Sequence, residues 1–325
     1  MDYGERQTYK ITAELEKKIN KAYAQAEKEL QEKLEAHLKR YEKKDKQWQK
    51  WVEDGTKTKE EYKQWRMGQM AIGKRWKDQR DALARDLIEI HNQTYTDIKK
   101  RMPEITAANI NYATYQVEHD AGIDTSFTLY NKEAVQHLLK DNPDLLPPLK
   151  DAKRAHLNAQ LYKDYMQTMQ SVMIQGIMQG ESIPKLAKKI AERTGEKDRK
   201  AAIRNARTMA TCAQNKGRYK AYERAQDKGV ELEKMWLATM DNRTRHTHRW
   251  LHEETKPLEE SFSNGCEYPA DPKGDPSEIY NCRCSMRAVV KGLERRAAAA
   301  YKSDTVAGMS YDEWLNAKPV YKSKK

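Results

Sequence analysis

Phenylalanine is almost missing from this chain: there are two in 325 residues, alongside four cysteines, ten prolines and fourteen glycines. No run approaches about 18 consecutive apolar residues, which excludes an expected membrane-crossing helix. The opening MDYGERQTYK carries no apolar stretch of the kind that directs export, so the expected compartment is the cytoplasm. Four cysteines are too few for a disulfide framework in a chain of this length, and a reducing compartment keeps them as thiols or metal ligands.

What is present is charge. Hydrophobic residues make up 38% and charged residues 34%, a balance that favours long two-faced helices over one large core. The length allows two or three domains at roughly 100–200 residues each. Lys and Arg number 61 against 49 Asp and Glu, and the formal charge of +12 favours polyanions or acidic protein surfaces as partners.

Leu15, Ile19, Ala22, Ala26, Leu30, Leu34, Leu38 and Tyr41 recur in steps of three and four, which predicts a long amphipathic helix. Glu53-Asp54-Gly55-Thr56 interrupts it, and Tyr62, Trp65, Ile72, Trp76, Leu83, Leu87, Ile90 and Ile98 restore the period until Met102-Pro103. These two helices are expected to fold back as an antiparallel hairpin, with Trp48, Trp51, Trp65 and Trp76 toward its turn. The pairing is open between one chain and two, so oligomerisation through these helices is one expectation. Thr106 then caps a helix to about His119, Thr125–Leu129 is β-prone, and another helix runs from Asn131 to Lys140.

The clustered prolines at Pro143, Pro147 and Pro148 mark the best domain border. Past them, Leu149–Gly180 reads as a helix whose Met-rich face suits an adaptable core. A new helix opens at Pro184 and is expected to close near Gly195, and a further one spans about Asp198–Lys228. Between Lys185 and Lys228 stand 14 Lys and Arg against 5 Asp and Glu. Lys200, Arg204, Arg207, Lys216 and Lys220 recur at helical steps and are the candidates for sequence-independent contact with double-stranded DNA phosphates. The alternatives are a solvated helix or a basic face docked on an acidic protein.

The stretch from Trp236 to Cys284 is unlike the rest. It holds three of the four cysteines, three of the eight histidines, one of the two phenylalanines and four prolines. Val230, Leu232, Lys234 and Trp236 alternate as a half-buried strand. Asp241 is placed to cap the next helical turn, with Arg243 and Arg245 as charge-assisted partners. Cys282 and Cys284 fall on one face of an extended segment. With His248 and Cys266 they make a set of ligand types suited to structural zinc, which is the one cofactor considered. Reduced thiols packing as small hydrophobes, or a disulfide formed after cell lysis, are the competing readings. No catalytic residue is assigned. Cys212, alone on its helix, is expected to be buried.

Several elements here come in a characteristic order: Trp236–Thr239; Asp241, Arg243, Thr244, Arg245 and His248; Phe262; the Tyr268–Pro272 turn; and Asn281, Cys282, Arg283 and Cys284. Upstream lies a helix with Arg207 and Thr208. The ensemble resembles the phage head morphogenesis proteins, the phage Mu F-like minor head proteins of tailed bacteriophages, over roughly Gln170–Val290. One departure is Met209, where an acidic residue often follows the Arg-Thr pair.

The resemblance implies a non-enzymatic virion component. It would associate with portal, capsid or scaffold proteins and packaged DNA, be made in the host cytoplasm and end in the virion head. Two alternatives come from other classes: a metal-dependent enzyme on nucleic acid using Asp241, His246, His248 and His252, and a pure DNA-binding module. The expected fold is α+β, mainly long helices with a small C-terminal antiparallel β-containing module. Expected segments are a helical hairpin domain (1–142), a basic helical middle (143–229), a small family core (230–292) and a helical or disordered basic tail (293–325), which Trp314 would dock on the body.

Overall fold

A computed structural model describes residues 1–141, 151–291 and 306–322. In chain order it contains α1 (Tyr3–Glu53), α2 (Lys59–Arg66), a π-helical turn (Met67–Ala71), α3 (Lys74–Ala121), α4 (Lys132–Asp141), α5 (Asp151–Met178), α6 (Ile183–Asp227) and β1 (Leu232–Leu237). There follow α7 (His246–Trp250), β2 (Thr255–Pro257), α8 (Pro276–Ile279), β3 (Ser285–Val290), a 3-10 turn (Val306–Gly308) and α9 (Tyr311–Ala317). The α+β class dominated by long helices is observed, with one antiparallel sheet in the order β2-β1-β3. No helix among the described residues is long and apolar enough to cross a membrane.

The chain forms two compact units, each from non-consecutive segments: Met1–Glu16, Asp97–Pro148 and Arg204–Lys325 in one, Lys17–Thr96 and Leu149–Ile203 in the other. The expected segments were consecutive. The difference arises because the borders fall inside α1, α3 and α6, whose apolar stripes continue where a linear reading looks for a linker. The Pro143–Pro148 border and the helix expected after Lys291 lie outside the described residues.

Within the Lys17–Ile203 unit, Leu30, Leu34 and Leu38 of α1 pack with Leu83, Ala84 and Leu87 of α3. Met169, Val172, Met173 and Ile177 of α5 and Leu186, Ala187, Ile190 and Ala191 of α6 close the same core. The Met-rich stretch is core, as its composition suggests. Trp48 lies 5.4 Å from Trp51 and stacks on Trp65 at 5.7 Å, and Trp76 is buried beside His37.

Three helix boundaries depart from the sequence reading. The stretch from Tyr62 to Ile98 is broken at Gly73, whose φ of 113° an L side chain rarely adopts. Gln170 accepts from Trp76 Nε1 at 2.8 Å and donates to the Ala71 carbonyl at 3.0 Å, so the break is hydrogen-bonded. Pro103 does not end α3, and Thr106 does not cap a new helix. Met102, Ile105 and Ile110 are buried on both sides of the proline, and that burial outweighs the one backbone bond it forgoes. Gly195 likewise sits inside α6, where a helical glycine costs about 1 kcal/mol against buried Ile190, Ala191 and Thr194.

Asp198 of α6 is buried at 4% exposure, and its Oδ2 has no hydrogen-bond partner; Tyr23 Oη is in the same state. Burial, with Asp164 adding repulsion, pushes the Asp198 carboxyl up to about 7. The folded state therefore binds this proton more tightly than the unfolded chain does. Its contribution is fully present below about pH 4, the unfolded carboxyl's range, and is lost as pH rises through about 7. Asp198→Asn is expected to flatten that decline. Melting curves at pH 4 and pH 8 should show the variant more stable than the parent at pH 8, by about 2–4 °C for each kcal/mol relieved.

Candidate functional site

The other unit is organised where the C-terminal half of α6 faces the chain from Asn281 to Met286. Polar side chains stand at helical steps on one stripe of α6 and engage this segment's backbone. Thr208 Oγ1 accepts from Asn281 N at 3.0 Å, and Thr211 Oγ1 donates to the Cys282 carbonyl at 2.7 Å. Asn215 Nδ2 donates to the Cys284 carbonyl at 3.0 Å and to that of Pro269 at 3.2 Å. Arg218 Nη1 and Tyr222 Oη donate to the Met286 carbonyl at 2.9 and 3.3 Å. The carbonyls of 282, 284 and 286 belong to alternate residues, which an extended backbone turns to one side. Helix period and strand period thus match rung by rung. Asn281 takes the left-handed conformation, φ 54°, which asparagine tolerates, and this aims its N–H at Thr208.

The ladder holds a His/Cys cluster. His248 Nδ1 lies 3.3 Å from Cys284 Sγ and 3.8 Å from Cys282 Sγ, and the three ligand atoms lie within 4.8 Å of one another. All three residues are buried. On the ring's far side, Nε2 is 3.1 Å from Glu278 Oε2. Glu278 also accepts from Thr247 Oγ1 and Asn264 Nδ2, each at 3.2 Å. It stands on α8, whose N-cap Asp275 and first-turn Pro276 explain a four-residue helix in so loop-rich a region. Trp236 backs the imidazole edge-on at 5.4 Å and Phe262 at 5.1 Å. The hydrogen bond between the thiols pulls Cys284 well below its ordinary range, and that bond and burial push Cys282 up.

Of the four residues expected as a metal set, the fold brings together His248, Cys282 and Cys284, and Cys266 is not in the group. Cys266 is buried beside Gly274, where an added Cβ would lie 2.6 Å from its sulfur; burial pushes its thiol up to about 12. Glu278 was missed by the sequence reading. Its only local signal is the Asp-Pro-Ser-Glu cap pattern, and its distance of 30 residues from His248 in sequence hides the contact. Cys212 is buried as expected.

Asp241 does not cap α7, whose N-cap is Arg245 without a side-chain bond. It instead closes a turn by accepting from Arg243 N at 2.9 Å and takes a two-pronged ion pair from Arg283 at 2.5 and 2.6 Å. Arg283 holds its carboxyl well below the usual range. Arg243 is mostly exposed, Thr244 bonds the Thr239 carbonyl, and Arg245 bonds that of Tyr280. His246 sits against exposed Trp250 at 4.7 Å, and His252 Nδ1 accepts from Ala238 N at 3.3 Å. Asp241, His246 and His252 therefore do not gather around His248 as a metal-dependent enzyme would need; no such group occurs among the described residues.

The expected cationic face is engaged within the chain. Lys200 pairs with Glu196 at 2.7 Å, Arg204 lies over the Tyr280 ring at 4.8 Å, and Arg207 grips Glu16 at 2.6 and 2.9 Å. Lys216 lies over Tyr219 and Tyr268 at 4.9 and 5.1 Å, and Lys220 pairs with Glu223 at 2.7 Å. Charge counting along a helix does not see the partners that come from outside it, Glu16, Tyr268 and Tyr280.

Residues 167–287 match the family model described as Phage Mu protein F like protein. Over that segment the chain is similar to the phage Mu F-like proteins. The ladder, the His/Cys cluster and most of the three-stranded sheet fall inside the matched residues. Over 204 residues, 62% of this chain, it is 32% identical to the NAD(+)–arginine ADP-ribosyltransferase EFV of Enterococcus faecalis (strain ATCC 700802 / V583). Over 237 residues, 69% of this chain, it is 26% identical to minor head protein GP7 of Bacillus phage SPP1. The chain spans 40% of the first protein's length and 74% of the second's. No solved structure matches.

One further residue of the matched segment is a charged side chain on a buried face, as the alternation of β1 places it. Lys234, on the buried face of β1, is 0% exposed. Its Nζ donates to the Leu258 and Glu267 carbonyls, both at 2.8 Å, and lies 5.2 Å from the Tyr219 and Phe262 rings. Desolvation lowers its pKa to about 8. Lys234→Met orphans the Glu267 carbonyl, since Tyr219 Oη still donates to that of Leu258 at 3.0 Å, and Asn215→Ala removes the donor to the Cys284 and Pro269 carbonyls. Each is expected to destabilise the chain by about 1–3 kcal/mol per carbonyl, read as a lower urea midpoint at unchanged slope.

Proposed function

We propose that this chain is a minor head protein of a tailed bacteriophage. It associates with the portal and with capsid or scaffold proteins during head assembly in the host cytoplasm, and ends in the virion head touching packaged DNA. The observation that carries this reading is the coincidence of the matched family segment with the chain's most specifically built region. The likeness to the SPP1 minor head protein over 74% of its length supports it.

Two surface features support the partners. Met240, Trp250 and Tyr280 are exposed large side chains inside the family segment, and exposed aromatics are frequent anchors of protein contacts. On the first half of α6, Lys185, Lys188, Lys197 and Lys200 are 62–79% exposed in ion pairs at 2.7–3.7 Å. The pairs of Lys188 and Lys200, exposed on both sides, are of a kind worth roughly 0–1 kcal/mol, so phosphates exchange for them at little cost.

In a pulldown with the cognate portal protein at physiological salt, the chain is expected to be retained and Trp250→Ala to be retained at least tenfold less. Absence of any association sinks the portal assignment. For DNA, replacing these four lysines with glutamine should lower the slope of log affinity against log salt by up to about 0.9 per lost contact.

The enterococcal relative's name supports a second reading, transfer of ADP-ribose to arginine, although the aligned part is 40% of that protein. Incubating the full chain with labelled NAD+ and an arginine acceptor separates the two. Turnover would overturn the non-enzymatic reading.

A further inference from the structure

We propose that His248 Nδ1, Cys282 Sγ and Cys284 Sγ form a binding site for one soft divalent cation of the zinc class, with Glu278 as its outer positioning residue and Cys266 outside it. The argument is geometric. Zinc bonds sulfur at about 2.3 Å and imidazole nitrogen at about 2.0–2.1 Å, so the nitrogen–sulfur edge of a tetrahedral site is about 3.6 Å. The observed edges, 3.3 and 3.8 Å, bracket that value without any rearrangement. Two sulfurs and one nitrogen are a donor set that selects zinc over magnesium or calcium.

The imidazole is also held as a ligand needs to be. Glu278 lies 3.1 Å from Nε2. The carboxylate stands beside Nε2 on the ring's far side, without an aligned hydrogen bond, while Nδ1 faces both sulfurs; this is the side from which carboxylates orient metal-bound histidines. Glu278 is fixed in turn by Thr247 and Asn264, so the outer layer is itself preorganised. Three protein ligands leave one position of the tetrahedron for an exogenous ligand.

A bound cation would join α7 to the Asn281–Cys284 loop across 34 residues of intervening chain. Cys282 and Cys284 lie in the core that α3 and α6 share with the sheet, so a metal there would tie two loops to a packed body and add its binding free energy to folding.

The test uses the full chain purified under reducing conditions, with zinc measured by elemental analysis and cobalt(II) as the optical probe. The expected result is one metal per chain, a visible cobalt spectrum of tetrahedral type and thiolate charge-transfer absorption. Cys282→Ser, Cys284→Ser and His248→Ala should abolish the spectrum, Cys266→Ser should leave it unchanged, and Glu278→Gln should weaken cobalt affinity about 10–100-fold. Because the ligand variants risk misfolding, the parent chain carries an independent arm. Chelation should lower its melting temperature, and added zinc should restore it. A parent chain that holds no metal and melts identically with chelator overturns the site, and a cobalt spectrum lost in Cys266→Ser overturns the three-ligand assignment.

Discussion

The structure of the family segment depends on the match between two periods. Side chains three or four apart on α6 meet backbone groups of alternate residues in the 281–286 segment. An extended segment ahead of a sheet's edge strand would otherwise leave polar groups buried and unpaired, and each would cost about 1–3 kcal/mol. Thr208, Thr211, Asn215, Arg218 and Tyr222 remove that cost from a single helix. The register of the Asn-Cys-Arg-Cys loop is fixed by the same contacts. A slip of one residue would turn the wrong carbonyls toward α6 and move both cysteines off the face that meets His248.

Buried polarity recurs across this unit and follows one logic. Lys234 finds two carbonyls and two aromatic faces, Asp271 accepts from Glu267 N and Lys273 N to close the Tyr268–Pro272 turn, and Arg218 pairs with Asp2 at 2.7 Å. A segment poor in apolar side chains is given its shape by hydrogen bonds with few alternatives. Trp314 extends the pattern: it is fully buried, donates to Glu118 Oε2 at 2.7 Å and lies against Phe127, docking α9 as its isolation in a polar tail suggested.

Much was legible in sequence. The α1 stripe, the Met-rich face of α5 and the β1 alternation follow from local periodicity, which survives folding because each face needs one neighbour. The family segment was legible because its ordered Trp, Asp, Arg, His and Cys positions are side chains with specific partners. The helix ends were less so. Pro103, Gly195 and Gly73 carry the same kind of local signal, yet only Gly73 interrupts its helix, where it takes a positive φ of 113° and Gln170 satisfies the groups at the break.

The amino-acid order alone determined the helical faces, the extended character of the Cys282–Cys284 segment and the likeness of residues 167–287 to the phage Mu F-like proteins. Tertiary structure decided which charges remain available. Arg207 meets Glu16 from the far end of the sequence, so a helix that counts as cationic is partly neutralised where it stands. It also decided the membership of the His/Cys cluster, excluding Cys266 and setting Glu278 behind the imidazole. The physical reason is that ligand type is a property of the residue, whereas convergence within a few ångströms is a property of the loops that bring residues together.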